Sequence, residues 1–279
     1  MRFKMNRRDD SNFINIDKLK SRKVIDKLPE TIVYSPEDYK ISAKYTGEGT
    51  KILIIDSGTP EHKDIKINEE SQDFASDKDD VIDNTGHATI ISGLIAANNK
   101  RSIIGIAPNS TVLYAKAIDE KNNSNYNSIV SSILWGIVKD VDIIIMALGS
   151  QYDYKILHDA IKKAHQSGIC IFAAAGNHLN KEDSEVNYPA RYPEVYSVGN
   201  LTRSKKINTR ILEKVDFSIK NKNVISTYLK DKYIQASGSS ISTAIITGLA
   251  SLLIEKNKKT NKNDMPKKVY SELQKIINQ

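Results

Sequence analysis

Five short apolar runs, at residues 51–56, 111–118, 141–148, 169–174 and 195–198, set the main constraint on how this chain can fold. Several are apolar without alternation, the pattern of a strand covered on both faces, as in a parallel sheet. Between them lie segments with apolar residues at helical spacing, over 88–98, 128–139 and 154–167, the last stopped by Gly168. A further apolar helix is expected over 240–256, with Ile241, Ala244, Ile245, Gly248, Leu249, Leu252 and Leu253 on the repeat. A shorter one follows Pro266 and uses Val269, Leu273, Ile276 and Ile277. Strands and helices in alternation imply an α/β fold: a three-layer, doubly wound, mostly parallel sheet with helices on both faces. Active residues in such sheets gather where strands end and helices begin.

At 279 residues the chain can bury a substantial core as one large domain. Residues 1–29 are polar, basic and aperiodic, and read as an extension ahead of a domain over 30–279, with Pro29 and Pro36 as breakers between them. No apolar run approaches the ~18 residues that span a bilayer. The basic start, Met1 to Arg8, is followed by Asp9, Asp10, Ser11 and Asn12 instead of the apolar stretch of an export signal, so a cytoplasmic protein is expected. The single cysteine, Cys170, excludes an internal disulfide and sits in an apolar run as a small core residue. The net charge of +7 comes from residues interleaved with acids and amides, densest over 256–268 and the first eight positions. No aromatic-basic motif accompanies them, so they read as solvated surface, with neither a nucleic-acid nor a membrane partner expected. An acidic peptide substrate fits that charge.

Four segments carry chemistry. The run 51–56 ends in Asp56-Ser57-Gly58, a carboxylate at a glycine turn. Asn84-Thr85-Gly86-His87 places a histidine at the mouth of an apolar helix. Ser237-Gly238-Ser239-Ser240 opens another, and Ala173-Ala174-Ala175-Gly176-Asn177 ends a strand with an amide able to donate hydrogen bonds. A serine hydroxyl needs a base to take its proton, histidine is suited to that near neutral pH, and a buried carboxylate orients the imidazole. Ser240 is the candidate nucleophile, because the helix dipole and the N–H groups there face an oxyanion. Ser237, Ser239 and Ser242 read as cap and turn residues. His62, His158, His165 and His178 read as solvated. Taken singly, Asp56 fits a turn residue and His87 a core histidine; the joint pattern carries the reading.

In this order the segments resemble the subtilases, over about residues 28–256. Gly86-His87-Ala88-Thr89-Ile90-Ile91-Ser92-Gly93 is similar to the family's Gly-His-Gly-Thr-His-Val-Ala-Gly, and Gly238-Ser239-Ser240-Ile241-Ser242-Thr243-Ala244-Ile245 to its Gly-Thr-Ser-Met-Ala-Ser-Pro-His. Ile106-Ala107-Pro108, the stretch from Asp142 to Gly149 and Tyr188-Pro189-Ala190 match further landmarks. The resemblance implies Asp56, His87 and Ser240 as a catalytic triad and Asn177 as oxyanion donor. It also implies Ala147-Leu148-Gly149 and Ala174-Ala175-Gly176 as walls binding extended peptide by strand addition. Departures are Ala88, Ile90, Ala147, Ile241 and Thr243-Ala244-Ile245, and the stretch between Gly199 and Ser240 lacks the Phe-Ser-Asn and Ala-Pro-Gly landmarks. They point to a specialised enzyme of narrow substrate range.

The layout is closest to intracellular subtilisins, with residues 1–29 as an inhibitory extension, or to small leader peptidases of lantibiotic maturation. The expected function is therefore an intracellular serine endopeptidase that processes a leader or precursor. General protein turnover and non-catalytic peptide binding are the alternatives. No cofactor is required and no metal ligand set is expected. The family's calcium loop corresponds to 97–103, where Lys100 and Arg101 stand in place of oxygen ligands. A nucleotide-binding reading fails because Thr46-Gly47-Glu48-Gly49-Thr50-Lys51 precedes a strand instead of following one.

Overall fold

Strand β4 (Lys51–Asp56) is the axis of the fold, and its side chains divide between two buried layers. Ile52 and Ile54 enter one core, Leu53 and Ile55 the other, as the two-residue period of a strand requires. The computed structural model describes residues 14–15, 20–28, 30–67, 70–76, 79–99, 102–177, 185–200 and 215–277. Seven strands form the main sheet: β12 (Phe217–Ser218), β11 (Tyr196–Gly199), β10 (Cys170–Ala174), β9 (Ile143–Met146), β4, β7 (Thr111–Lys116) and β5 (Ser71–Asp73), in that spatial order. Every pairing in it is parallel. Helices α1 (His87–Ala96), α4 (Ser239–Lys256) and α5 (Met265–Ile277) pack with the first core, while α2 (Tyr126–Val138) and α3 (Lys155–Gln166) pack with the second. The fold is the three-layer α/β sandwich expected.

Helix α4 is buried from Ser239 to Ile254 on all sides. A helix apolar all round has no solvent face, and each fully buried Leu or Ile contributes about 1.5–3 kcal/mol, so α4 anchors the first layer. Cys170 is buried on β10, and burial pushes its thiol up. Among the described residues no helix is long and apolar enough to cross a membrane.

The chain turns outward on either side of β4, towards β7 and β5 on one flank and towards β9 on the other, so the C-terminal end of β4 is a switch point. β7 stops at Lys116, short of the run expected to 118, because the N–H groups of Ala117 and Ile118 both turn to the Asp56 carbonyl at 2.8 and 3.2 Å.

Outside the main sheet, β13 (Val224–Tyr228) and β14 (Lys232–Ser237) form a hairpin, and β2 (Lys20–Ile25) pairs antiparallel with β14. Ile25 and Leu28 pack against Ala97, Ile103 and Tyr233, so this part of the extension docks on the domain. Two-residue pairings complete the list: β1 (Ile14–Asn15) antiparallel with β8 (Asn123–Ser124), and β3 (Ile32–Val33) parallel with β6 (Ile103–Ile104). Residues 1–13, 16–19 and 29, and His178, lie outside the described residues.

Candidate active site

Asp56 is the last residue of β4 and His87 the first of α1, and both side chains are buried, at 1% and 3% exposure. Both Asp56 carboxylate oxygens lie 2.8 Å from His87 Nδ1. A carboxylate only accepts, so Nδ1 carries a proton, and in the neutral imidazole Nε2 is left with the lone pair. His87 Nε2 is buried and finds no hydrogen-bond partner among the described residues.

A second buried acid, Asp83, builds the loop ahead of the histidine. Its Oδ1 accepts from Ser57 Oγ, Thr85 N and Gly86 N at 2.8, 3.0 and 2.8 Å, and its Oδ2 from Thr89 N and Oγ1 at 2.9 and 2.7 Å. Ser57 Oγ stands 3.0 Å from Asp56 Oδ1 and accepts from Ala88 N, so it bridges the two acids. The hairpin supports α1 from its flank: Ser226 Oγ donates to the Ile90 carbonyl and Thr227 Oγ1 to that of Thr89, each at 2.7 Å.

Ser240 lies in the first turn of α4, fully buried, with its Oγ donating to the Ala147 carbonyl at 3.2 Å. Helices α1 and α4 pack together, each with its candidate residue in the first turn. The cap of α4 is Gly238, without a side-chain cap bond, so the neighbouring serines do other work than expected. Ser237 Oγ accepts from Asn223 N at 2.8 Å, and Ser242 Oγ donates to the Ile219 carbonyl at 3.1 Å. Asn177 Oδ1 accepts from Ser239 N at 2.8 Å, which fixes the amide beside the serine-bearing turn.

The walls follow adjacent strands: Ala147-Leu148-Gly149 leaves β9, and Ala174-Ala175-Gly176 runs off β10. Residues 187–188 stitch them together, Asn187 N donating to Ala175 O at 3.1 Å while Tyr188 and Ser150 exchange both backbone bonds. Asn187, Asp83 and Asn221 are site-supporting residues that the sequence reading missed. Asp83 and Asn187 had a signal, since each immediately precedes a segment that the sequence singles out; Asn221 had none. His62 is a correction: it is 6% exposed, its Nδ1 accepting from Asp64 N and its Nε2 donating to Lys232 O, and burial lowers its pKa. His158 stacks on Tyr192 and pairs with Glu194, away from solvent on one side.

The described residues of the 97–103 loop do not fit calcium. The acid facing it, Asp64, is buried with Oδ1 accepting from Asn99 Nδ2 at 2.7 Å and Oδ2 from Tyr233 OH at 2.8 Å. Burial pushes the Tyr233 phenol up to about 12, so it keeps the proton it donates. Both oxygens a cation would need are thereby engaged, and Lys100 and Arg101 lie outside the described residues.

The profile of the subtilase family matches residues 47–277. The chain belongs to the subtilase family. That match starts later than the expected 28 and runs on through α5. This subtilase is 35% identical over 218 residues to the "Minor extracellular protease Epr" of Bacillus subtilis (strain 168), covering 77% of this chain and 33% of that protein. It is 33% identical over 218 residues to the "Intracellular serine protease" of Paenibacillus polymyxa, covering 74% and 67%. To the "Major intracellular serine protease" of Bacillus subtilis (strain 168) it is 30% identical over 243 residues, covering 82% and 76%. The matched segment thus spans only a third of the first of these relatives.

Proposed function

We propose that this subtilase is a serine endopeptidase using Ser240, His87 and Asp56, with Asn177 as an oxyanion donor. The observation that carries the reading is the His87 imidazole, locked by Asp56 through Nδ1 with a buried Nε2 that has no partner among the described residues. Turning the Ser240 hydroxyl from the Ala147 carbonyl to Nε2 gives the reactive pair. Peptide lies along the walls at 147–149 and 174–176, and Ser240 Oγ adds to the scissile carbonyl carbon as its proton passes to Nε2. The resulting oxyanion faces the first-turn N–H groups of α4 and the Asn177 amide. Collapse expels the amine, which takes the proton from Nε2, and leaves an acyl-enzyme that water cleaves by the same steps. No metal or cofactor enters these steps.

Two finer points belong to the same proposal. The enzyme acts in the cytoplasm on one or a few precursors, an acidic leader peptide being the favoured class, in preference to general turnover. Support comes from the two relatives named as intracellular, the +7 charge and the departures around Ser240 and Ala147. The extension restrains the enzyme. β1 pairs with β8, which leads into α2, whose Tyr126 hydroxyl reaches Ser150 Oγ beside the wall at 3.3 Å. β2 pairs with β14, which runs into the Ser240 turn.

Intact mass after fluorophosphonate treatment tests the chemistry. One adduct, absent in Ser240→Ala, is expected; no adduct in the full chain or in a chain lacking residues 1–29 refutes it and favours a peptide-binding role. Faster peptide hydrolysis without residues 1–29 is expected, and an unchanged rate refutes the restraint.

A further inference from the structure

The turn that carries the proposed nucleophile depends on one glycine. Gly238 adopts φ +144° and ψ 177° between β14 and α4, a conformation closed to other residues. Glycine is also the residue with the widest backbone freedom, so its own torsions do not hold the turn still. Besides the helical bond from Ser242 N to the Gly238 carbonyl at 3.2 Å, both polar groups of Gly238 are held by one side chain. Asn221 Oδ1 accepts from Gly238 N at 3.0 Å, and Asn221 Nδ2 donates to Gly238 O at 3.0 Å. The second Nδ2 hydrogen goes to Ser242 Oγ at 2.7 Å, one turn into the helix.

Asn221 is itself immobilised. It is 3% exposed; its N–H donates to Asn200 Oδ1 at 3.1 Å, and Asn200 Nδ2 donates back to Asn221 Oδ1 at 3.2 Å. One amide therefore grips both sides of the hinge and the first turn of α4. It comes from the stretch between Gly199 and Ser240 that departs most from family landmarks.

We infer that Asn221 is a positioning residue for catalysis, fixing Gly238 so that Ser240 Oγ and the α4 N–H groups meet the scissile carbonyl in register. The inference rests on the endopeptidase reading above. Among the described residues the hydrogen bonds of Asn221 run to Asn200, Gly238 and Ser242 and to neither wall, so its loss acts on the chemical step and leaves peptide binding in place. A nucleophile misplaced by about 1 Å loses on the order of 10²-fold in rate.

The test compares wild type with Asn221→Ala and Asn221→Asp in the full chain, well below the melting temperature of each. Fluorophosphonate labelling rates and kcat and KM on a cleaved peptide are read together. Asn221→Asp keeps the volume and the acceptor for Gly238 N–H, so it folds where alanine fails and restores part of the rate. The expected result is a kcat and a labelling rate lower by about 10- to 100-fold in Asn221→Ala, with KM within about twofold and Asn221→Asp intermediate. In Asn221→Ala, which adds no charge, the pH at which activity half-rises stays that of wild type, since His87 and Asp56 are untouched. A lowered melting temperature with unchanged kcat, or a loss carried by KM, overturns the inference and leaves the protease reading standing. A wild type that neither labels nor cleaves overturns that reading, and this inference with it.

Discussion

Replacing Asp83 by asparagine tests whether the histidine loop is held by a buried charge. Asp83 accepts from two backbone N–H groups and two hydroxyls, those of Ser57 and Thr85, at Oδ1, and from one of each at Oδ2. An amide must place its NH₂ at one end or the other. At the Oδ2 end, Thr89 Oγ1 can rotate to accept it, but Thr89 N–H is left without a partner. At the Oδ1 end, Thr85 N–H and Gly86 N–H are both stranded. The cheaper choice therefore orphans one buried donor, at about 1–3 kcal/mol, and weakens the remaining bonds by about 1 kcal/mol each as the charge is lost. Easier burial of a neutral amide offsets part of this. A net loss of about 3 kcal/mol follows, a large share of the ~5–15 kcal/mol typical of a folded protein. Urea unfolding in a Ser240→Ala background, where self-digestion cannot interfere, reads it as a lower midpoint at unchanged slope. A loss under about 1 kcal/mol would refute the reasoning and mean that the loop is held by its packing.

Gly86→Ala is expected to cost about 2 kcal/mol or more: the residue sits at φ +84° and a Cβ would lie 2.3 Å from the Tyr228 ring; thermal unfolding measures it, and an unchanged midpoint contradicts the geometry. His62 has a folded pKa below its usual value, so the folded protein prefers it neutral, and its contribution is present above about pH 6.5. Stability is lost as pH falls below that value through the folded pKa, and His62→Asn, which keeps an acceptor for Asp64 N–H, flattens the curve there; parallel curves would dismiss the role. Adding EDTA or excess calcium leaves the melting temperature unchanged to within a degree or so, because Asn99 and Tyr233 already engage Asp64; a large calcium-dependent rise would show the loop rearranges to bind it.

The sheet and the four chemical segments were legible because their signals are local. A strand covered on both faces has to be apolar throughout, and a residue at a strand end or helix start is placed by its neighbours in sequence. What escaped depends on distant partners. Lys220-Asn221-Lys222-Asn223 reads as a polar loop, and only the approach of Gly238 gives its asparagine a task. Glu61-His62-Lys63-Asp64 reads as a solvated turn until the Lys232 carbonyl covers the imidazole. Lys20-Ser21-Arg22-Lys23-Val24-Ile25 has too little apolar content to announce a strand; its pairing is dictated by the free edge of β14. Asn187 stands beside the Tyr188-Pro189-Ala190 landmark, but its bond to Ala175 follows only from the fold of segments on either side of it.

The placement of α4 has a consequence for synthesis. Asp56 and the central strand are made before α4, which fills the first core from Ser239 to Ile254 and brings Ser240 with it only once most of this domain has been made. Contacts so far apart in sequence form slowly and late. A growing chain has neither its packed layer nor its nucleophile until almost all of this domain is made. The nucleophile and the core that holds it thus arrive together, so a partly made domain carries Asp56 and His87 without the serine they would activate.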